Sequence, residues 1–231
     1  MLEFNYQKVG LDDSRLTDLY RLRYQVYCDE CGFEKPEDHP DGLETDEFDE
    51  VSSHFCAFNR DTKEIIGTTR IILPSEKGFP IEQHFSIDGK AIAAIDHNRI
   101  GEISRLAISK DFRRRVIDKA IYAENRVDVN DRSRYKKERR KFELALVAGL
   151  YHCIYHESLA QGLTHWYAVM AKGLYFLLKS RGIVWHPIGP AQNYHGWRRP
   201  YIAEIAENVE SAKNIYPDFL LSPPAGMASS G

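Results

Sequence analysis

Two charged side chains interrupt an otherwise apolar run, "RIGEISRLAIS", from Arg99 to Ser109. The apolar residues are typical of a buried strand, yet Glu102, Ser104 and Arg105 lie in the middle of it. Burying a carboxylate and a guanidinium is costly unless the two groups are paired or used. A carboxylate in such a place is a candidate proton acceptor. The run therefore predicts either a structural ion-pair network or part of a reactive site.

An acidic block precedes this run in the sequence. From Asp29 to Glu50 there are eleven Asp or Glu residues and one lysine. Within the block, Glu44, Asp46 and Asp49 have the spacing E-x-D-x-x-D. Taken by composition alone, such a block favours a solvated acidic loop.

The histidines and cysteines give weaker signals. Cys28 and Cys31 have C-x-x-C spacing, but the other two cysteines stand alone, so we expect free thiols and no metal site. His152 and His156 share a helix face without the H-E-x-x-H pattern, which favours packing. His54, close to the acidic block, is an alternative base.

The hydrophobic pattern predicts an α+β domain with a mixed sheet and helices on its faces. Strands are expected at "FNYQKV", in a hairpin around "NRDTK", at the run from Arg99, and at "THWYAVMA", "IVWHPIG" and "RRPYIAEI". Helices are expected after an N-cap at Ser14, at "KFELALVAGLYHCIYHESLAQGL" with Gly162 as C-cap, and at "KGLYFLLKSRG". The segment "PSEKGFPIEQHFSI" is expected to be a loop.

Length and composition favour one soluble domain. The chain has 231 residues, 43% of them hydrophobic and 28% charged, with a net charge of −3. We expect a domain over residues 1–220 with a basic insert at 111–141, and a flexible tail at 221–231. The absence of a signal peptide and of long apolar runs predicts a cytoplasmic protein with no transmembrane segment. Nucleic acid is not an expected partner.

Four motifs together resemble those of the acyl-homoserine-lactone autoinducer synthases and the related long-chain N-acyl amino acid synthases. They are an Arg and aromatic set around the first helix, the E-x-D-x-x-D loop, an Arg in the third strand and E-x-S-R in the fourth. The residues are Arg23, Tyr27, Phe33, Glu44, Asp46, Asp49, Arg70, Glu102, Ser104 and Arg105. The resemblance spans residues 15–190 and implies the Gcn5-related N-acetyltransferase (GNAT) fold, a central, mostly antiparallel sheet flanked by helices. A finer resemblance is to acyltransferases associated with bacterial exosortase and PEP-CTERM sorting systems.

Two departures from the pattern of the autoinducer synthases favour the resemblance to the N-acyl amino acid synthases. Phe33 stands where the autoinducer synthases have Trp, and the basic segment before the long helix is longer. The stretch "KDFRRRVIDKA" also lacks the glycines with which acetyl-coenzyme A users of this fold hold pyrophosphate. The resemblance therefore implies acyl carrier protein as the thioester donor, with acyl-coenzyme A as the alternative and no bound cofactor. The docking residues for the carrier would be Arg113, Arg114 and Arg115.

The implied reaction is attack of an amine on a thioester, which needs a base, an oxyanion donor and an apolar tunnel. The resemblance makes Glu44, Asp46 and Glu102 catalytic candidates. The other seven residues, Arg23, Tyr27, Phe33, Asp49, Arg70, Ser104 and Arg105, become substrate-binding candidates. The alternatives are a structural salt-bridge network, core aromatics and an exposed Arg23.

The resemblance also implies a bulge in the fourth strand, which frees backbone N–H groups to bind the thioester carbonyl. Our hypothesis for the charged residues is that Glu102 bonds Arg23 or Arg70, while Arg105 binds the acceptor or orders the acidic loop. The acyl tunnel would be formed by apolar residues of the fifth strand and following helix, Val169, Met170, Leu174, Phe176 and Leu177.

We expect an N-acyltransferase that moves a long-chain fatty acyl group from acyl carrier protein to the α-amine of an amino acid. The rival functions are an autoinducer synthase using S-adenosylmethionine, an acyl-coenzyme A-dependent acyltransferase, and a non-catalytic module that binds lipid or amino acid.

Overall fold

The computed structural model describes residues 4–110 and 132–215. The first of these segments contains strands β1 to β4, in the predicted order. Its elements are β1 (Phe4–Val9), α1 (Arg15–Tyr24), β2 (Ser52–Asn59), β3 (Ile65–Ile72), α2 (Pro80–His84), α3 (Gly89–Ile92) and β4 (Ile100–Ile108). Ser14 occupies the N-cap position of α1 as predicted, although its side chain makes no capping hydrogen bond. A π-helical turn, Gln25–Glu30, continues α1.

The second segment begins with the long helix. Its elements are α4 (Arg132–Ala160), β5 (His165–Ala171), α5 (Lys172–Lys179), β6 (His186–Pro187), β7 (Gln192–Asn193), β8 (Trp197–Glu204) and α6 (Ile205–Ile215). Gly162 has φ of 66° just after α4, which is the left-handed conformation of a helix C-cap. No helix in residues 4–110 or 132–215 is long and apolar enough to cross a membrane.

One mixed sheet connects these strands in the order β1-β2-β3-β4-β5-β8-β6, with β7 also paired to β8. All pairs are antiparallel except β4 with β5. Alternate residues of β2 reach opposite layers, since Phe55 and Ala57 pack with α4 while Cys56 packs with α1. The predicted α+β fold with helices on both faces is confirmed.

The parallel strands β4 and β5 separate after a short stretch of pairing. Their register runs only from Ile100–His165 to Ile103–Ala168, whereas both strands continue further. The predicted bulge lies just beyond this point. On the β3 side, Thr69 alone lies opposite Arg105 and Leu106, and Arg105 has φ of 52°. The sheet therefore opens into a gap between the carboxyl-terminal halves of β4 and β5.

Some predicted elements differ from the structure. The segment expected to be a loop contains α2, which begins at Pro80 and is capped by Glu82 on the backbone N–H of Phe79 at 3.3 Å. The strand at "IVWHPIG" is reduced to two residues, and β7 and α6 were not predicted. Residues 132–141 of the expected basic insert belong to α4. The rest of that insert and the expected tail lie outside the described residues.

Candidate active site

A cavity of about 510 Å³ lies at the gap between β4 and β5. Ile103 and Leu106 of β4 line it, together with Ala168 and Met170 of β5. Its volume is in the range of pockets that enclose small-molecule ligands, about 300–1,000 Å³. The open sheet therefore provides space for a substrate between two strands.

A fully buried ion-pair layer lies behind the cavity and contains Arg23 of α1. Its Nε donates to Glu44 Oε2, and its Nη1 donates to Asp49 Oδ1 at 2.6 Å. The Arg23 side chain is 0% exposed, which excludes the exposed-helix interpretation of this residue. Burial raises the pKa of Asp49, but Arg23 and Arg70 outweigh it and hold that pKa below its usual value.

Arg70 of β3 joins this layer to the cavity. Its two terminal nitrogens donate to the two oxygens of Asp46 at 2.6 and 2.7 Å, and its Nε donates to Ser104 Oγ at 3.0 Å. Asp46 lines the cavity and is 24% exposed. Burial raises its pKa, yet the hydrogen bonds and charge of Arg70 bring it well below the usual range. Asp46 is therefore an anion at neutral pH and is poorly suited to accept a proton.

The bulge residue Arg105 fastens the acidic loop to β4. Its Nε donates to Glu44 Oε1 at 3.0 Å, and its Nη2 donates to Asp46 Oδ2 at 2.9 Å. Its guanidinium lies 5.5 Å from the ring centroid of Tyr27, whose hydroxyl donates to the Leu106 carbonyl. Of the two roles expected for Arg105, these contacts show the ordering of the loop. The loop is therefore not simply a solvated surface.

Glu102 differs from the other carboxylates because no guanidinium within the described residues contacts it. Its Oε2 accepts a hydrogen bond from the backbone N–H of Ile81 at 2.9 Å. The predicted bond to Arg23 or Arg70 is wrong, because both arginines are occupied by the acidic loop while α2 covers Glu102. Burial raises the pKa of Glu102 to about 7. A carboxyl group with this pKa, in a cavity wall, can accept and release a proton at neutral pH.

The ten sequence-predicted site residues divide into two groups. Seven line the cavity: Tyr27, Phe33, Asp46, Arg70, Glu102, Ser104 and Arg105. The other three, Arg23, Glu44 and Asp49, lie in the buried layer. Glu44 is 1% exposed and bonds arginine through both oxygens, an arrangement that fits positioning rather than proton transfer. Arg113, Arg114 and Arg115 lie outside the described residues.

The histidines of the sequence analysis are placed away from the cavity. His54 is fully buried, and its Nε2 bonds the Asp49 carbonyl oxygen at 3.0 Å. His152 and His156 contact each other on α4, with their Nε2 atoms 2.9 Å apart. Among the described side chains, those of residues 4–110 and 143–213, no group of three or more His, Cys, Asp or Glu is placed to hold a metal ion.

Three of the five residues expected to form the acyl tunnel lie at the cavity. Val169, Met170 and Leu174 line the cavity. Phe176 is 53% exposed, and Leu177 lines a separate small cavity beside α4, so neither contributes to the wall. Phe176 follows Leu174 by two residues, which puts the two side chains on opposite faces of α5.

An aromatic wall of the cavity was missed by the sequence analysis. Tyr194, His195 and Arg198 come from the β7–β8 hairpin, and His84 comes from α2. The His84 and Tyr194 rings stack with centroids 5.0 Å apart, and the Arg198 guanidinium lies 4.9 Å from the Phe33 ring centroid. The stretch "NYHGW", rich in aromatic residues before the last strand, was the available signal.

Comparisons with known proteins agree with the fold. Residues 22–123 match the model of an acetyltransferase (GNAT) domain. No curated protein matches the sequence.

Several solved structures have a similar fold. BjaI, described as a coenzyme A-dependent acyl-homoserine lactone synthase, has a TM-score of 0.65 and 17% identity, covering 98% of this chain and 95% of its own. The acyl-homoserine lactone synthase LasI has a TM-score of 0.60 and 14% identity, covering 96% of this chain and 98% of its own. FeeM, an N-acyl amino acid synthase from uncultured soil microbes, has a TM-score of 0.59 and 14% identity, covering 93% of this chain and 99% of its own. The chain therefore has the GNAT fold, and its domain match and fold support an acyltransferase.

Proposed function

We propose that this protein is an N-acyltransferase that moves a long-chain fatty acyl group from a carrier thioester to the α-amine of an amino acid. The observation that carries the proposal is the composition of the cavity. Asp46 and Glu102, two carboxyl groups of opposite pKa shift, share it with apolar side chains of β4 and β5. An amine substrate and an acyl chain need these two environments side by side.

The two carboxyl groups would have different roles toward the amine substrate. Asp46, held ionised by Arg70, attracts the ammonium form of the acceptor. Glu102, with a pKa of about 7, takes a proton from the amine. The free nitrogen lone pair then attacks the thioester carbonyl carbon, a C–N bond forms, and the C–S bond breaks. Glu102 passes this proton to the leaving thiolate, and the second proton that the nitrogen loses goes to water. An ammonium and a thioester thus give an amide, a thiol and one proton, and the site returns to its starting state.

The bulge of β4 would supply the oxyanion donor. Arg105 and Leu106 together oppose a single residue of β3, which leaves backbone N–H capacity outside the ladder at the cavity wall. An N–H group fixed there stabilises the negative charge that develops on the thioester oxygen.

The thioester carrier is proposed to be acyl carrier protein. Support comes from the sequence, in which the stretch after β4 has no glycine and three consecutive arginines, Arg113, Arg114 and Arg115. Acyl carrier protein presents an acidic surface to such residues. The same acyl group supplied on carrier protein and on coenzyme A, compared by kcat/KM, tests this choice.

An acyl-homoserine lactone synthase is the second candidate function. The similarity to BjaI and LasI favours it. Such an enzyme would use S-adenosylmethionine as the amine and release a lactone instead of a linear N-acyl amino acid.

Extraction of lipids from bacteria that express the protein tests the reaction class. We expect masses equal to a fatty acid plus an amino acid minus water, absent from an empty-vector control and from cells expressing Glu102→Gln. Acyl-homoserine lactones would select the second candidate. A lipid profile identical to that of both controls would contradict the proposal.

The cellular context follows from the same proposal. A donor such as acyl carrier protein and free amino acids would place the reaction in the cytoplasm. The finer resemblance to acyltransferases of exosortase and PEP-CTERM systems stays a prediction.

A further inference from the structure

Three guanidinium groups line the cavity, and they differ in their partners. Arg70 and Arg105 are paired with the carboxylates of the acidic loop. Arg198 of β8 pairs with no carboxylate among the side chains that the structure describes, those of residues 4–110 and 143–213. Its one hydrogen bond there runs from Nε to the His195 carbonyl oxygen at 3.3 Å. The cavity therefore holds an arginine whose two terminal nitrogens have no hydrogen-bond partner in the described part of the chain.

The surrounding structure holds Arg198 in place. Its backbone pairs with Ala171 on one side and Gln192 on the other. Its guanidinium lies 4.9 Å from the ring centroid of Phe33, and Phe33 in turn packs near Tyr27 at 6.2 Å. A fixed, planar fork of two N–H donors matches the geometry of a carboxylate.

Arg198 lies on the β8 side of the gap, and acidic groups come from the other side. Asp46 and Glu34 line the same cavity from the segment between α1 and β2. Phe33, which Arg198 contacts, belongs to that acidic segment rather than to the apolar wall formed by β5 and α5. The cavity thus combines the ionised carboxylate of Asp46 with a guanidinium that has open donor positions in the described part of the chain, which is complementary to a zwitterion.

We propose that Arg198 binds the α-carboxylate of the acceptor amino acid while Asp46 faces its ammonium group. This inference rests on the proposed function and adds the group by which the acceptor is recognised. An amine without a carboxylate lacks the partner of Arg198 and is a poor acceptor.

Steady-state kinetics with matched acceptors test the inference. A mixture of the twenty amino acids first identifies the preferred acceptor, and its primary amide then provides the same α-amine without the carboxylate. Arg198→Gln is compared with Arg198→Lys and with Arg199→Gln, since Arg199 is the exposed neighbour that does not line the cavity. A thermal melt of each variant checks folding.

We expect the wild type to prefer the acid over the amide by about 10–100-fold in kcat/KM. Arg198→Gln should lower kcat/KM for the acid by a similar factor through KM and leave the amide unchanged. Arg198→Lys should retain part of the preference, and Arg199→Gln all of it. The wild-type comparison needs no variant and holds even if Arg198→Gln fails to fold.

Three outcomes would overturn the inference. In the first, the wild type uses acid and amide equally well. In the second, Arg198→Gln raises KM for the thioester and not for the acid, which would place a donor group at Arg198. In the third, the wild type acylates neither acceptor, and the proposed function falls with the inference. The first two leave that function intact.

Discussion

The buried layer around Arg23 and the cavity wall around Glu102 contain the same kinds of side chain in opposite states. In the buried layer, every carboxylate bonds at least one guanidinium, as Glu44 and Asp49 do. In the wall, Glu102 is just as buried but receives only a backbone N–H. Pairing keeps the first set charged, and lack of pairing raises the pKa of Glu102 to about 7. Burial alone therefore does not assign a role; the partner does.

Asp46 lies between these two regions and shows how they cooperate. Arg70 and Arg105 both bond it, yet its side chain is 24% exposed and lines the cavity. Asp46 thus faces the cavity while it stays paired with two arginines. The comparison predicts that variants in the wall change catalysis, whereas variants in the layer change folding.

The largest expected effect is on catalysis. Glu102→Gln should lower kcat by about 10²–10⁴-fold, because an amide cannot accept the proton of the amine. Stability at pH 8 should be unchanged or higher, since the amide oxygen still accepts from the Ile81 N–H and no charge is buried. Single-turnover rates and urea unfolding measure the two quantities. A variant with wild-type turnover would refute the assignment of Glu102 as base.

Breaking the buried layer should act on folding instead. Arg23→Gln leaves Glu44 and Asp49 short of a cation and should cost about 3–5 kcal/mol of unfolding free energy. Arg21→Gln is the matched control, because Arg21 is on the same helix and its ion pair with Asp18 is exposed. Urea denaturation compares them. Equal losses for the two variants would show that the layer contributes no more than a surface pair.

The pH dependence of stability separates the two regions further. The pKa of Glu102 is about 7 in the folded state against 4.5 in its ordinary state, so between these pH values the folded protein holds a proton that the unfolded chain has released. The contribution of Glu102 to stability therefore falls as pH rises through this window, by up to about 1.4 kcal/mol per pH unit. Turnover should rise over the same range as Glu102 ionises.

Asp46 and Asp49 behave in the opposite way, because their folded-state pKa values are lowered. Their contribution is present at neutral pH and is lost as pH falls through the acidic range. Urea unfolding at several pH values, for wild type and Glu102→Gln, isolates the Glu102 slope. An unchanged slope in the variant would mean that another group titrates there.

The smallest change in unfolding free energy is expected at Glu34, at the edge of the ion-pair network. Glu34 lies 3.7 Å from Arg105, and both side chains are partly exposed. Glu34→Gln should change the unfolding free energy by less than about 1 kcal/mol, as exposed ion pairs do. A loss as large as that of Arg23→Gln would extend the buried layer to Glu34.

The sheet, its flanking helices and the charged motifs were predictable from the sequence, because each of these produces a local hydrophobic periodicity or a fixed residue spacing. One of the two roles predicted for Arg105, ordering the acidic loop, matches the contacts of Arg105 with Glu44 and Asp46. Sequence reasoning paired Arg70 with Glu102, whereas Arg70 bonds Asp46. It did not find the partner of Glu102, because that partner is a backbone N–H in α2, inside a stretch rich in Pro and Gly. Arg198 was also missed, since its place opposite Phe33 depends on how β8 joins the sheet, which no local pattern records.

The left-handed backbone of Arg105 gives the protein one position at which shape and charge are coupled. The same φ angle that interrupts the ladder beside the gap also turns the guanidinium toward the acidic loop. Glycine adopts this conformation without strain, whereas a β-branched residue does not. Replacing Arg105 by glycine therefore removes its charge and keeps the interruption of the ladder beside the gap. A β-branched residue favours a regular strand and loses both the charge and the interruption. The two replacements are ways to adapt the site to acceptors of another polarity.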